Sequence, residues 1–304
     1  MTVLENCKSV QPKLTSVLRM CVLESRPGVQ ALYVLRFLTA AVLGVTTGGG
    51  SAGMPLLVAL VSWIFGNMFV YLLNGIMDVT EDRVNGSQRP IASGRLPVPQ
   101  ATRISVILAV ISIMLTFLVP LESALVLVSH LALGWLYSGP PWYVKRNPFT
   151  AACVLIFAGV CCYSAGYWAT GAGAPNMESV VFALGMSLAM GLVGVPVKDL
   201  SDIEGDRAAG RRSFPVLWGE QKARVVIFCL ALITGLVFFA TTLMAASRII
   251  GAAIVTLLGF IAIGAIVLSR AGRGSRSNRR RAFRIFIVSA YCTHFVAICA
   301  VYLS

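Results

Sequence analysis

Residues 54–82 read MPLLVALVSWIFGNMFVYLLNGIMDVTED, an apolar run that ends in two aspartates. A bilayer core about 30 Å thick needs about 20 mostly apolar residues per helix, and residues 54–77 meet that requirement. Working outward, eight more runs of this kind lie between polar breaks: 29–46, 104–119, 124–137, 149–168, 180–197, 225–243, 249–269 and 285–303. Runs three and four are short and split by Pro120, so a hairpin of tight helices is expected there. The chain of 304 residues is 57% hydrophobic, with a mean hydropathy of +0.82, beyond what a soluble core needs. The expected fold class is all-α: a polytopic membrane protein of nine transmembrane helices.

The cations test this division. Lys and Arg number 25 against 12 acidic residues, a net charge of +13. With nine spans, 23 of the 25 fall on one side: the amino-terminal segment, the loop of Arg83, Arg89, Arg95 and Arg103, the Lys145-Arg146 pair, the loop from Lys198 to Arg224, and the run from Arg270 to Arg284. Cytoplasmic segments retain Lys and Arg, so that side and the amino terminus are read as cytoplasmic. The basic excess is thus an orientation signal, and no nucleic-acid partner is expected. Arg248 falls on the other side, and Arg36 lies within the first span. An intramembrane cation is a functional candidate by default, although Arg36 can also snorkel towards the cytoplasm.

Residues 1–27 are read as a cytoplasmic amino-terminal segment and 28–304 as the membrane domain. Within the first, Leu14, Val17, Leu18, Cys21 and Val22 recur at helical spacing, as in an amphipathic helix lying at the membrane surface. The segment has no apolar stretch of signal-peptide length, so no cleaved signal is expected. The eight cysteines form no CxxC pair near histidines, which argues against a zinc site or disulfide framework.

All five aspartates sit in two clusters. Asn74, Asp78 and Asp82 close the second span and open its loop. Asp199, Asp202 and Asp206 close the sixth, and both clusters fall on the same membrane side. Residues four apart share a helix face, so Asn74, Asp78 and Asp82 form one polar stripe, and Lys198, Asp202 and Asp206 repeat the spacing. Facing carboxylates repel and need cations between them. Hard oxygen ligands suit Mg²⁺, commonly held by one or two carboxylates plus substrate phosphates. Arg83, Arg89, Lys145, Lys198 and Arg207 in the same loops supply a basic surround for an anionic phosphate. Joined to a bundle this apolar, the pattern points to a diphosphate with a long apolar tail.

Three segments together carry a resemblance. NGIMDVTEDRVNGSQRPIASGRLP (74–97), LYSGPPWYVKRNP (136–148) and KDLSDIEGDRAAGRRSFPVLWG (198–219) resemble, in order, the motifs of the UbiA superfamily of intramembrane prenyltransferases. That resemblance implies a nine-helix UbiA-type bundle with a cytoplasm-facing active site. It implies that Asn74, Asp78, Asp82, Asp202 and Asp206 hold two Mg²⁺ ions and the diphosphate of an isoprenoid donor. It also implies positions for Tyr137 and Ser138 near the reacting carbon, and for Lys145 and Arg89 near the diphosphate. Asp199 matches the superfamily's Lys-Asp pair beside Lys198. Gly86-Ser87-Gln88 departs from the charged turn that many members carry before Arg-Pro.

The activity so implied is Mg²⁺-dependent transfer of a prenyl group from a prenyl diphosphate to a small acceptor, aromatic as the leading reading. A lipid or chlorin acceptor, and a cyclase closing the donor's own chain, remain open. An ion-coupled transporter would place carboxylates near the bilayer midplane and show matched halves, whereas these aspartates crowd one face. His130 and His294 lack paired ligands and are read as packing residues, with a proton-accepting role open for His130, which shares a helix face with Tyr137.

Overall fold

A computed structural model describes residues 14–303; Cys7, Lys8 and Lys13 and the Leu14 side chain lie outside the described part. Among the described residues there is no strand, and nine helices are long and apolar enough to cross a bilayer: Pro27–Thr47, Met54–Met77, Val98–Thr116, Leu121–Ser138, Pro148–Trp168, Met177–Asp199, Glu220–Ala245, Ser247–Leu268 and Arg276–Tyr302. They are called here the first to ninth spans. The protein is an integral, multi-pass membrane protein.

Spans three and four are not short. Each is a full crossing, because Arg103 and Glu122 ride within the helices near their ends, where side chains can reach polar surroundings. The ninth likewise starts earlier than its apolar run, with part of the Arg-rich segment helical. The sixth span carries a π-turn at Met190–Gly194 just before Pro196, a residue that cannot donate to the helix ladder.

Small residues set the closest approaches. A Cβ on Gly166 of the fifth span would fall against the Phe37 backbone of the first, so these two helices meet at a separation only glycine allows. Leu43, Tyr163, Phe182, Phe238 and Ala290 join spans one, five, six, seven and nine into the largest buried cluster. Arg224, fully buried, donates to the carbonyls of Val267 (2.7 Å) and Gly272 (2.7 Å) and thereby satisfies chain ends left open where the eighth span stops.

The amphipathic segment forms a helix, Leu14–Glu24. Val17 and Cys21 are buried against Leu72, Ile91, Leu96 and Ala101, while Leu18 and Val22 stay exposed. One apolar face therefore docks on the second span and the loop after it.

Two short helices, Val79–Val84 and Ile203–Ala208, follow the second and sixth spans. They meet where the Gly205 N–H donates to Asn85 Oδ1 (3.1 Å), a contact a Cβ on Gly205 would obstruct. Arg276 at the start of the ninth span ties the pair down, donating to the carbonyls of Asn85 (2.7 Å) and Ser201 (3.0 Å). These contacts turn the two acidic segments towards each other.

Candidate active site

One cavity, with about 1290 Å³ of empty volume including its open mouth, is lined by all five aspartates. Asn74, Asp78, Glu81, Asp82 and Asn85 contribute one wall, and Lys198, Asp199, Asp202, Asp206 and Arg211 the other. Below this polar mouth the lining turns apolar, with Leu32, Val70, Leu133, Val154, Leu155 and Val195. The shape thus joins a charged head region to a greasy interior.

Each aspartate has a cation. Asp78 pairs with Lys145, which the segment after the fourth span brings under the second. Asp82 accepts from Arg89 (2.7 Å), and Arg89 is held from behind by Glu24 (2.6 Å). Lys198 (2.8 Å) and Arg276 (3.0 Å) grip the two oxygens of Asp202. Arg211 reaches both Asp199 (3.3 Å) and Asp206 (3.6 Å). Asn74 donates to Ser138 Oγ (3.1 Å), placing Ser138 and its neighbour Tyr137 at the same level as the aspartates, and Tyr137 lines the cavity.

These partners set the ionisation. Burial pushes the Asp78 carboxyl up, but Lys145 outweighs it and holds it below the ordinary value. Burial also opposes the charge on Asp202, and Lys198 with Arg276 leave it well below the usual carboxylate range. Glu81, pushed up by burial and then by Asp78, titrates at about 7. Glu24 is raised by burial, with Arg89 and the Ile91 N–H acting against that shift. Arg211 is held well above its ordinary value by Asp199, Tyr137 and Asp206 against the opposing effect of burial.

The structure brings Asn74, Asp78, Asp82, Tyr137, Lys198, Asp199, Asp202 and Asp206 onto the cavity lining, with Arg89, Ser138 and Lys145 behind it, bonded to Asp82, Asn74 and Asp78. Arg36 does not snorkel to the surface: it is 2% exposed and lines the same cavity. Two cations of the expected basic surround are elsewhere. Arg83 turns away to the Ala92 carbonyl (3.1 Å) and Arg207 is exposed, so neither lines the cavity. His294 packs against Tyr163 (2.7 Å), whereas His130 lines the cavity and bonds Asn67 (3.1 Å).

Four groups that sequence reasoning left out or treated only as loop charge belong here: Glu24, Glu81, Arg211 and Arg276. Arg211 carried a faint signal, five residues after Asp206. The others are single charges whose partners no local pattern shows.

The donor set fits Mg²⁺. Asp206 Oδ2 is buried without a hydrogen-bond partner, a donor oxygen still available to a cation.

Comparison with known families matches residues 35–290 to the UbiA prenyltransferase family. The chain belongs to the UbiA prenyltransferase family. It is 26% identical over 215 residues to digeranylgeranylglyceryl phosphate synthase of Methanobrevibacter smithii, covering 68% of this chain and 72% of that protein. It is 35% identical over 156 residues to the chloroplastic 2-acylphloroglucinol 4-prenyltransferase of Humulus lupulus, covering 49% of this chain and 38% of that one. Among solved structures, a UbiA homolog from Archaeoglobus fulgidus bound to GPP and Mg²⁺ shares the fold, with a TM-score of 0.70 at 20% identity over 93% of this chain and 99% of that chain. The nine-helix UbiA arrangement expected from the motifs is thus the fold of the protein.

Proposed function

We propose that the protein transfers a prenyl group from an allylic prenyl diphosphate to an aromatic acceptor, with the active site at the cytoplasmic face. The observation that carries this reading is that both aspartate clusters open into one apolar cavity. A diphosphate head belongs at the mouth and an isoprenoid tail in the interior. A diphosphate alone would meet the five aspartates and Glu81, so it enters with divalent cations. Asp78 and Asp82 would hold one Mg²⁺ and Asp202 and Asp206 the other, with Asn74 as a further oxygen donor. Bound there, Mg²⁺ supplies Lewis-acid stabilisation of charge on the diphosphate oxygens.

The chain's own residues do the rest. Lys145, Arg89, Lys198 and Arg211 stabilise the negative charge that grows on the leaving diphosphate as the bond to C1 breaks. The Tyr137 ring, which lines the cavity at the level of the aspartates, would turn its negative π surface to the resulting allylic cation. The apolar lining keeps water from capturing that cation. Tyr33 and Tyr71, whose rings stand edge to face at 6.2 Å and both line the cavity, offer stacking surfaces for an aromatic acceptor. The cytoplasmic orientation is supported by the 23 cations that fall on the aspartate side.

The test is turnover. Membranes carrying the protein are incubated with Mg²⁺ and geranyl, farnesyl or geranylgeranyl diphosphate, with and without hydroxybenzoate-type acceptors, and products are followed by mass. An acceptor-plus-prenyl mass, absent from the Asp78→Ala, Asp202→Ala double variant, is the expected result. A cyclic hydrocarbon formed without acceptor would make the protein a cyclase, and a prenylated glycerol phosphate would make the acceptor a lipid. No Mg²⁺-dependent turnover of any donor would refute the reading.

A further inference from the structure

The interior of the cavity holds a positive charge with no counter-ion. Arg36 lies nine residues into the first span, about 14 Å along the helix from Pro27, at 1.5 Å per residue. Helical side chains lean towards the amino-terminal end, here the aspartate face, and Arg36 Cζ accordingly lies 5.2 Å from the Tyr33 ring centroid, one turn nearer the mouth. Its Nε and Nη2 are buried and have no hydrogen-bond partner, and among the described residues no carboxylate pairs with it. Two other residues lining the cavity are also incomplete: Asn67 Nδ2 and His130 Nδ1 lack partners although the two side chains bond each other.

A guanidinium cannot shed its proton to escape this cost. The Tyr33 ring face offsets only part of it, about 0.5–2 kcal/mol. An unpaired, always-charged fork in a cavity with apolar walls is therefore built for an anion that arrives from outside. The prenyl tail has no such group. A carbocation moving inwards would be repelled, by about 4 kcal/mol at 4 Å separation for an effective dielectric of 20, which disfavours cyclisation of the donor.

Resting on the reading of this cavity as a prenyl-transfer site, we propose that Arg36 recognises an oxyanion, carboxylate or phosphate, carried by the acceptor and held below its reacting atom. Asn67 Nδ2 supplies a second donor at that depth. Arg36 then selects acceptors by charge and sets their orientation, because a bidentate fork fixes both distance and plane.

The experiment measures binding rather than turnover. Purified protein is titrated with 4-hydroxybenzoate, with its uncharged amide 4-hydroxybenzamide, and with a long-chain glycerol phosphate beside the matching uncharged glyceride. Calorimetry is the readout, with tryptophan emission as a second signal, since the Trp63 ring lies 4.2 Å from that of His130. Wild-type protein is expected to bind at least one anion about tenfold more tightly than its neutral partner, equivalent to about 1.4 kcal/mol. Which pair discriminates tells carboxylate from phosphate. In Arg36→Met that preference should collapse to within about twofold. No preference for either anion in wild type, or a preference that Arg36→Met retains, would overturn the proposal. Should Arg36→Met not fold, Arg36→Lys decides: it keeps the charge but not the fork, and is expected to bind the preferred anion several-fold more weakly, whereas unchanged affinity would overturn the proposal. Geranylgeranyl diphosphate with Mg²⁺ is titrated separately into wild type, so failure of the donor site is seen apart from failure of the anion site.

Discussion

Glu24 closes the amino-terminal helix and is 0% exposed. Its Oε1 pairs with Arg89 at 2.6 Å and its Oε2 accepts from the Ile91 N–H at 2.9 Å, while its own carbonyl accepts from Arg89 Nη2 at 3.2 Å. Gly75 makes room for this pair, since a Cβ there would collide with the Glu24 carboxylate. Glu24→Ala leaves Arg89 facing Asp82 alone and strands a buried amide. Breaking a buried pair from one side costs about 3–5 kcal/mol, and because Arg89 keeps a partly exposed edge the lower end, about 3 kcal/mol, is expected. Glu24→Gln keeps an acceptor for Ile91 and should lose about half as much. The assay is the thermal midpoint of detergent-solubilised protein at a fixed scan rate, because membrane-protein unfolding is commonly irreversible. A midpoint for Glu24→Ala several degrees below wild type, with Glu24→Gln between, is the expected order. Midpoints of both variants within a degree of wild type would show that the amino-terminal helix does not anchor Arg89.

Arg276→Ala removes the clamp across both acidic loops and leaves Asp202 to Lys198; the Mg²⁺ concentration for half-maximal turnover is expected to rise about tenfold, in line with one charge-assisted hydrogen bond. Gly166→Ala should destabilise the bundle by about 1–3 kcal/mol through overpacking on the Phe37 backbone, whereas Gly173→Ala, with open space around it, should leave the melting midpoint unchanged. Asp202 contributes a pH dependence of defined sign. Its carboxyl is held below the ordinary value, so its contribution to stability is present above the unfolded value near about 4 and is lost as pH falls towards the folded one. Wild-type metal-free protein should thus lose more thermal stability between about pH 5 and pH 3 than Asp202→Asn, and equal losses would count against the Lys198 and Arg276 pairing.

Local pattern carried the architecture. Nine apolar runs, seven of them near the length of a bilayer crossing and two shorter, are visible because hydropathy is read residue by residue, and the two aspartate clusters because they close spans two and six at four-residue spacing. The helices of spans three and four run past their apolar stretches to include Arg103 and Glu122, because charged side chains near a helix end can reach the interface without breaking the helix. Glu24 meets Arg89 across 65 residues, and Arg276 meets Asp202 across 74. No periodicity links such pairs. In a chain with 25 cations a single arginine carries little signal until the fold selects it. Arg36 stood out in the sequence by its depth alone, but that it faces the cavity without a partner is a property of the packed bundle.

The central claim is that the two aspartate clusters together hold one metal-bridged diphosphate. It is tested most directly by equilibrium binding of geranylgeranyl diphosphate to purified wild type, Asp78→Asn and Asp202→Asn, each with Mg²⁺ and with chelator. Tight binding by wild type with Mg²⁺, lost with chelator and weakened at least about tenfold in each single variant, is the predicted result. Binding that survives chelation, or that depends on one cluster and not the other, would contradict the claim.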